Sequence, residues 1–178
     1  MTIKAKIILA SISTSLGIVI VVILWWLYEV LHIAPHTMTE NHFSDRSLPQ
    51  GYRNNNPLNI RLSMSPWKGK VINNTNGSFE QFVTMAYGFR AAFINIRTLV
   101  RRGHGTIAAL IAKWAPDSDG NNSANYAARV AQHMGCPTTQ AIDTDNAAMM
   151  KALVTAMAIV ENGYAPRRAD IDKAWQLL

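Results

Sequence analysis

Apolar residues in the second half of the chain recur every three or four positions, which is the spacing of one face of an α-helix. Phe89, Phe93 and Ile96 are an example, and Gly103 can end the helix that contains them. The pattern predicts five helices of this kind. Their predicted ranges are Tyr87–Arg102, Ile107–Trp114, Ala124–Met134, Asp145–Glu161 and Ala169–Leu178.

Capping residues mark the ends of these predicted helices. Thr106 and Ser123 each precede a periodic run and can accept a hydrogen bond from the first turn. Either Asp143 or Thr144 can cap the fourth helix, and Gly135 suits the left-handed stop of the third. The agreement of caps with periodicity favours a mainly helical domain.

Residues 51–84 follow a different pattern, with many Asn, Ser, Pro and Gly residues and no helical period. The Asn76-Gly77 pair is a turn signal. Short extended pieces at Asn59–Arg61 and Phe79–Val83 predict a small hairpin. The expected fold class is therefore mainly α with a small β-hairpin or irregular element.

The start of the chain carries a long apolar run, Ile7–Tyr28, which has no charged residue and is long enough to span a bilayer. Trp25 and Tyr28 suit the aromatic belt at a membrane interface. Lys4 and Lys6 precede the run, so the positive-inside rule predicts a cytoplasmic N-terminus and an external domain. We interpret the run as an uncleaved anchor because it is too long for a typical signal peptide.

This interpretation divides the chain into three parts. Residues 1–33 form the cytoplasmic N-terminus and transmembrane anchor, residues 34–50 form a polar linker, and residues 51–178 form the domain. With this topology the domain would lie outside the cytoplasm.

The formal net charge of +6 favours anionic partners, although charge alone does not choose among nucleic acid, acidic lipid and cell-wall polymer. Nucleic acid at the cytoplasmic face would require the opposite topology, so we expect no nucleic-acid partner. Cys136 is the single cysteine and no Cys/His cluster has metal-ligand spacing, so neither a metal nor a cofactor is predicted.

Glu161 is the acidic residue that the helical pattern distinguishes. Leu153 and Met157 belong to an apolar stripe on the predicted helix, and Glu161 continues this stripe at the helix C-terminus. Partial desolvation and the negative end of the helix dipole both favour a neutral carboxyl group there. A carboxyl group that keeps its proton can serve as the general acid of a glycosidase. The alternative is an outward-facing Glu161 paired with Arg167 or Arg168.

A second candidate cluster runs from Arg53 to Arg61 and is rich in asparagine. Asparagines tighten turns, which is one interpretation, but a run of amides beside an aromatic residue can also bind sugar hydroxyl and N-acetyl groups. Tyr52 and Trp114 are further aromatic candidates, although aromatic residues at helical spacing are usually core. The candidate sugar-binding residues are Asn54, Asn55, Asn56, Asn59, Arg61, Trp67 and Tyr126.

A second carboxylate would allow a two-acid mechanism. Asp170 lies nine residues after Glu161, beyond the turn Tyr164-Ala165-Pro166, and is the candidate for this role. Asp117 and Asp119 lie in another predicted loop and have no stronger claim.

Several short motifs resemble a family of phage and prophage proteins, often described as virion structural proteins. The shared pattern reads R-N-N-N-P-x-N-I-R, W-x-G, F-x-x-F and G-x-R-A, where this chain has Gly88-Phe89-Arg90-Ala91 for the last. Later matches include Trp114-Ala115-Pro116 and Glu161-Asn162-Gly163. The resemblance covers nearly all of residues 51–163 and implies that Asn162 belongs to the site.

The order Asn-x-x-Asn-Ile, Trp-x-Gly and Phe-x-x-Phe also resembles glucosaminidases and transglycosylases of the lysozyme superfamily. In those enzymes the catalytic Glu ends a helix before this region, whereas Glu161 ends a helix after it. The resemblance implies a lysozyme-like domain with a circularly permuted order and Glu161 as the catalytic residue.

The leading hypothesis is an enzyme that cleaves the β-1,4 glycosidic bonds of peptidoglycan, as a lysozyme or lytic transglycosylase, during phage entry or lysis. Its partners would be peptidoglycan, a lipid bilayer through Ile7–Tyr28, and other virion membrane proteins. The bilayer would be either the host inner membrane, with the domain facing the periplasm, or the internal membrane of a virion. The alternative is a non-enzymatic virion membrane protein or wall-binding module.

Overall fold

Six α-helices account for most of the regular structure in residues 43–178, the part of the chain that the computed structural model describes. A short 3₁₀ turn, Asp117–Asp119, lies between the third and fourth helices. The helices are α1 (Gln50–Arg53), α2 (Met85–Arg101), α3 (Ile107–Trp114), α4 (Ser123–Met134), α5 (Ala147–Asn162) and α6 (Arg168–Gln176).

Helix α2 lies at the centre of the core and packs against α3, α5 and α6. Phe89, Phe93 and Ile96 are fully buried, as the periodicity predicts. The ring of Trp175 in α6 meets Phe93 edge-on, with 5.2 Å between ring centroids. On α5 the stripe that includes Met157 is also fully buried, so the predicted inward face of that helix is confirmed.

The helix starts agree with the sequence patterns to within a few residues. The Thr106 side chain accepts a hydrogen bond from Ala109 N–H, as predicted. Asn122 and Asn146, however, cap α4 and α5 in place of the predicted Ser123 and of Asp143 or Thr144. The reason at α5 is local, because Asp143 Oδ1 already accepts the backbone N–H of Asp145 in the preceding turn.

Residues 54–83 form an irregular segment that contains no strand. Two isolated antiparallel bridges, Arg61 with Phe79 and Lys70 with Phe82, replace the predicted hairpin. The two predicted extended pieces do lie side by side, but the bridges are isolated, of one residue pair each, and form no continuous ladder of hydrogen bonds. The backbone is held largely by asparagine, glutamine and glutamate side chains, described with the site below.

The predicted anchor, Ile7–Tyr28, lies outside the described residues. Within residues 43–178 no helix combines the length and the apolar character needed to cross a bilayer.

Candidate functional site

A cavity of about 410 Å³ lies between the helices and the irregular segment. Helices α2, α3 and α5 supply part of its wall, and the irregular segment and the loop after α3 supply the rest. The lining residues are Leu58, Asn59, Ile60, Arg61, Ser63, Ser65, Trp67, Phe79, Asn95, Leu99, Lys113, Trp114, Ala115, Asp119, Asn121 and Glu161.

The Glu161 carboxylate lines this cavity and is held by two hydrogen bonds. The Tyr126 hydroxyl donates to Oε1 at 2.7 Å, and Asn59 Nδ2 donates to Oε2 at 2.9 Å. Glu161 is half-buried in the last turn of α5, which ends at Gly163 in the left-handed conformation. Because a donor from α4 and a donor from the irregular segment meet at one carboxylate, its orientation is fixed from two sides.

Tyr126 stays a hydrogen-bond donor over the whole physiological pH range. Burial raises its pKa well above the usual 10, and the adjacent negative charge of Glu161 raises it further. Sequence reasoning assigned Tyr126 to sugar binding, whereas the structure places its hydroxyl on Glu161.

The asparagine run forms the framework of the irregular segment. Asn55 and Asn59 both have φ of 50°, a left-handed conformation that asparagine tolerates better than most residues. Asn56 is fully buried, and its amide donates to the carbonyls of Ile60 and Glu80 while its oxygen accepts from Ile60 N–H. These contacts fix the loop that presents Asn59 to Glu161.

Five of the predicted sugar-binding residues do not line the cavity, namely Tyr126, whose hydroxyl binds Glu161, and four asparagines. Asn56 is committed to the backbone as described, Asn55 donates to the Phe82 carbonyl, and Asn54 accepts from Gln81. Asn162 is buried and donates to the carbonyls of Pro57 and Ala158, which ties the end of α5 to the irregular segment. Their contacts agree with the turn-forming interpretation of the run.

Two glycines of the motif set stand where larger residues would collide. A Cβ on Gly88 would meet the carbonyl of Asn55, so α2 lies directly against the asparagine loop. A Cβ on Gly69 would meet the ring of Tyr87, and Gly69 also has φ of 75°. Both glycines therefore allow the irregular segment to pack closely on α2.

Arg61 and Trp67, two of the predicted sugar-binding residues, line the cavity. Arg61 pairs with Asp119 at 2.9 Å, which joins the irregular segment to the 3₁₀ turn after α3. Asp170, the predicted second carboxylate, instead pairs with Arg167 at 2.9 Å and is not among the lining residues.

Sequence analysis gave no role to Asn95 and Lys113, which line the cavity, and weighed Asp119 for the second carboxylate without a strong claim. The Arg61–Asp119 pair joins residues 58 positions apart, so no local pattern marks it. Asn95 did carry a local signal, because it is a polar residue between Ile94 and Ile96 in α2. Within residues 43–178 no three His, Cys, Asp or Glu side chains are grouped as metal ligands.

Comparison with known proteins gives one relationship. No protein-family model matches the chain. Protein P5 of Pseudoalteromonas phage PM2 is 35% identical over 125 residues, which cover 68% of this chain and 76% of protein P5. This confirms the predicted relationship to phage proteins. The chain therefore belongs to the same family as protein P5 of phage PM2.

Proposed function

We propose that this phage protein is a peptidoglycan glycosidase in which Glu161 is the general acid. The observation that carries the proposal is the position of Glu161, whose carboxylate faces a cavity while Tyr126 and Asn59 hold both of its oxygens. A catalytic acid needs this kind of fixed orientation toward a substrate-sized space. Each carboxyl oxygen accepts only one of these hydrogen bonds, so a lone pair remains for the transferable proton.

The composition of the cavity wall suits a glycan. Its volume of about 410 Å³ lies in the range of small-ligand sites, and Trp67 and Trp114 offer apolar faces for sugar rings. Ser63 and Ser65 add hydroxyl groups. Lys113, which makes no ion pair among the described residues, favours a substrate that carries carboxylates, as peptidoglycan does.

The proposed reaction uses one acid twice. Glu161 donates its proton to the glycosidic oxygen, and the bond between that oxygen and C1 of the muramic residue breaks. The Glu161 carboxylate then takes the proton of the muramic 6-hydroxyl, whose oxygen forms the new bond to C1. The products are a free 4-hydroxyl and a 1,6-anhydro-muramic end, so no water is consumed.

A hydrolytic route would need a second carboxylate near the scissile bond. Asp119 is the other carboxylate on the cavity wall within the described residues, but its charge is paired with Arg61. This pairing favours the single-acid route and makes Asp119, rather than Asp170, the residue to test for the alternative.

A second candidate function is a non-enzymatic virion membrane protein or wall-binding module. Membership in the family of a phage protein is compatible with it and implies no catalysis. In this case the cavity would bind wall glycan without cleaving it. Purified full-length protein would then bind peptidoglycan sacculi and release no fragments.

We also propose that the run Ile7–Tyr28 anchors the chain with the domain outside the cytoplasm, based on the lysines that precede it. A C-terminal phosphatase fusion tests this topology. Activity of the fusion outside the cytoplasm is expected, and an inactive phosphatase together with an active cytoplasmic reporter would contradict it.

The decisive experiment is digestion of purified peptidoglycan followed by mass spectrometry of the products. Fragments with 1,6-anhydro-muramic ends are expected. Reducing muramic ends would support the two-carboxylate route, and the absence of fragments with intact binding would support the wall-binding module.

A further inference from the structure

A second, smaller pocket of about 300 Å³ lies between the segment before α1, the end of α1 and the turn that precedes α2. It is separate from the Glu161 cavity and shares no lining residue with it. None of its lining residues is acidic. They are Phe43, Ser44, Arg46, Arg53, Asn54, Thr75, Asn76 and Gln81.

The amide groups of this pocket have orientations fixed by the backbone. Thr75 N–H donates to Gln81 Oε1 at 2.8 Å, so the Gln81 nitrogen must point the other way. Gln81 Nε2 then donates to Asn54 Oδ1 at 3.1 Å, which leaves Asn54 Nδ2 as the remaining group. Asn76 Oδ1 likewise accepts the N–H of Phe79 at 3.1 Å. The amide oxygens are therefore occupied within the protein.

Two donor groups of the pocket have no acceptor within the described residues. Asn54 is 2% exposed, yet its Nδ2 has no hydrogen-bond partner among the described residues. Arg53 Nε is also buried without a partner, and neither Arg53 nor Arg46 forms an ion pair in the described part of the chain. A buried donor without an acceptor is unfavourable, so a ligand that supplies acceptors would be favoured here.

We infer that this pocket binds a phosphate group, with Arg46 and Arg53 supplying charge and the Asn54 and Asn76 amides supplying neutral donors. The pocket carries two positive charges, and its amide oxygens are already bonded within the protein, so it favours an anion rich in acceptors. The donors come from separate chain segments, which suits the several oxygens of a tetrahedral phosphate better than the two of a carboxylate. Guanidinium groups also match phosphate geometry well. This inference is independent of the glycosidase proposal.

Isothermal titration calorimetry of the full chain with inorganic phosphate, at constant ionic strength and pH, tests the inference. We expect saturable one-site binding that Arg53→Gln weakens about tenfold or more, since a hydrogen bond to a charged group contributes about 1.5–3 kcal/mol. Arg46→Gln should weaken it as well and, because Arg46 is exposed, should leave the fold unchanged. Arg102→Gln is the matched control, since Arg102 is exposed and lines neither cavity.

Two further probes define the ligand. Glycerol 3-phosphate bound with the same dependence on Arg53 would assign a phosphate carried on a larger molecule, and binding of inorganic phosphate alone would assign the free ion. The inference is overturned if phosphate binds equally well to wild type and to folded Arg46→Gln and Arg53→Gln proteins. It is also overturned if acetate binds as tightly as phosphate, or if no saturable binding occurs.

Discussion

The two walls of the Glu161 cavity are built by different physical means. The helical wall is held by fully buried apolar side chains such as Phe93 and Met157. The irregular wall, residues 54–83, is held by buried amides and by Glu80, which is 0% exposed and binds Lys70 and Ser63. Apolar packing tolerates small changes of shape, whereas a hydrogen-bonded loop depends on each donor and acceptor. The helical wall carries the proposed acid, and the irregular wall carries most of the proposed substrate contacts.

The largest expected effect comes from removing the proposed proton donor on the helical wall. Glu161→Gln keeps the side-chain volume but cannot deliver a proton, so we expect the rate of fragment release from peptidoglycan to fall about 10²- to 10⁴-fold. Folding and binding to sacculi should be retained. Asp170→Asn is the control, because Asp170 lies outside the cavity lining and should leave the rate near that of wild type. Full activity in a folded Glu161→Gln protein would remove Glu161 from the mechanism.

The second prediction tests the irregular wall. Asn56→Ala removes one acceptor and two donor contacts from the fully buried loop, so we expect the free energy of unfolding to fall by about 3 kcal/mol. Asn125→Ala, at an exposed position of α4, should cost roughly 0.5 kcal/mol or less. Urea unfolding of both variants measures the difference. A cost for Asn56→Ala as small as that of Asn125→Ala would mean that the hydrogen bonds do not hold this wall.

The third prediction concerns the contact between α4 and the acid. Tyr126→Phe keeps the ring and removes the hydrogen bond to Glu161, so we expect about a tenfold loss of rate with little loss of stability. Tyr87→Phe is the matched control, because the Tyr87 hydroxyl has no hydrogen bond among residues 43–178 and should not affect the rate. Equal rates for the two variants would show that Tyr126 does not position Glu161.

The smallest effect is expected at Tyr52, which lies in α1 just before the irregular wall. Burial, with a further contribution from Tyr164, raises the pKa of Tyr52 to about 12. A phenol whose folded pKa exceeds its unfolded pKa contributes stability that is complete below pH 10 and is lost as the pH rises toward 12. In the wild type, this ionisation should lower the free energy of unfolding by roughly 1 kcal/mol between about pH 9 and about pH 11. Tyr52→Phe should remove that decrease.

At neutral pH the same substitution should cost little, because the buried Tyr52 hydroxyl has no hydrogen-bond partner in the described residues. Denaturant titrations at the two pH values measure both effects. Parallel pH dependence in wild type and variant would contradict the assignment.

The sequence predicted the helical wall well because its signals are local. The periodicity of α2 and α5, the Thr106 cap and the stop at Gly135 each depend on residues within a few positions. Glu161 was found in the same way, as the end of an apolar stripe. The cap of α5 is Asn146, whereas Asp143 or Thr144 was predicted, because several neighbouring residues can accept the same hydrogen bond.

The contacts between the walls could not be read from local patterns. Asn59 and Glu161 are 102 positions apart, and Tyr126 and Glu161 are 35 apart. The asparagine run looked equally suited to binding sugars and to shaping a turn, and only the burial of Asn56 distinguishes the two. Asp119 pairs with Arg61 across the fold, and no sequence motif marks this pairing or the place of Asp119 on the cavity wall.

Hydrogen bonds join the last turn of α5, which carries Glu161, to the irregular wall that faces it. Glu161 receives a hydrogen bond from Asn59, and the next residue, Asn162, donates to the carbonyl of Pro57 in the same loop. A thermal displacement of this turn would therefore carry the loop with it, so that the two move together. Correlated motion of this kind would keep the Glu161 carboxylate at a nearly constant distance from the asparagine loop while the protein fluctuates.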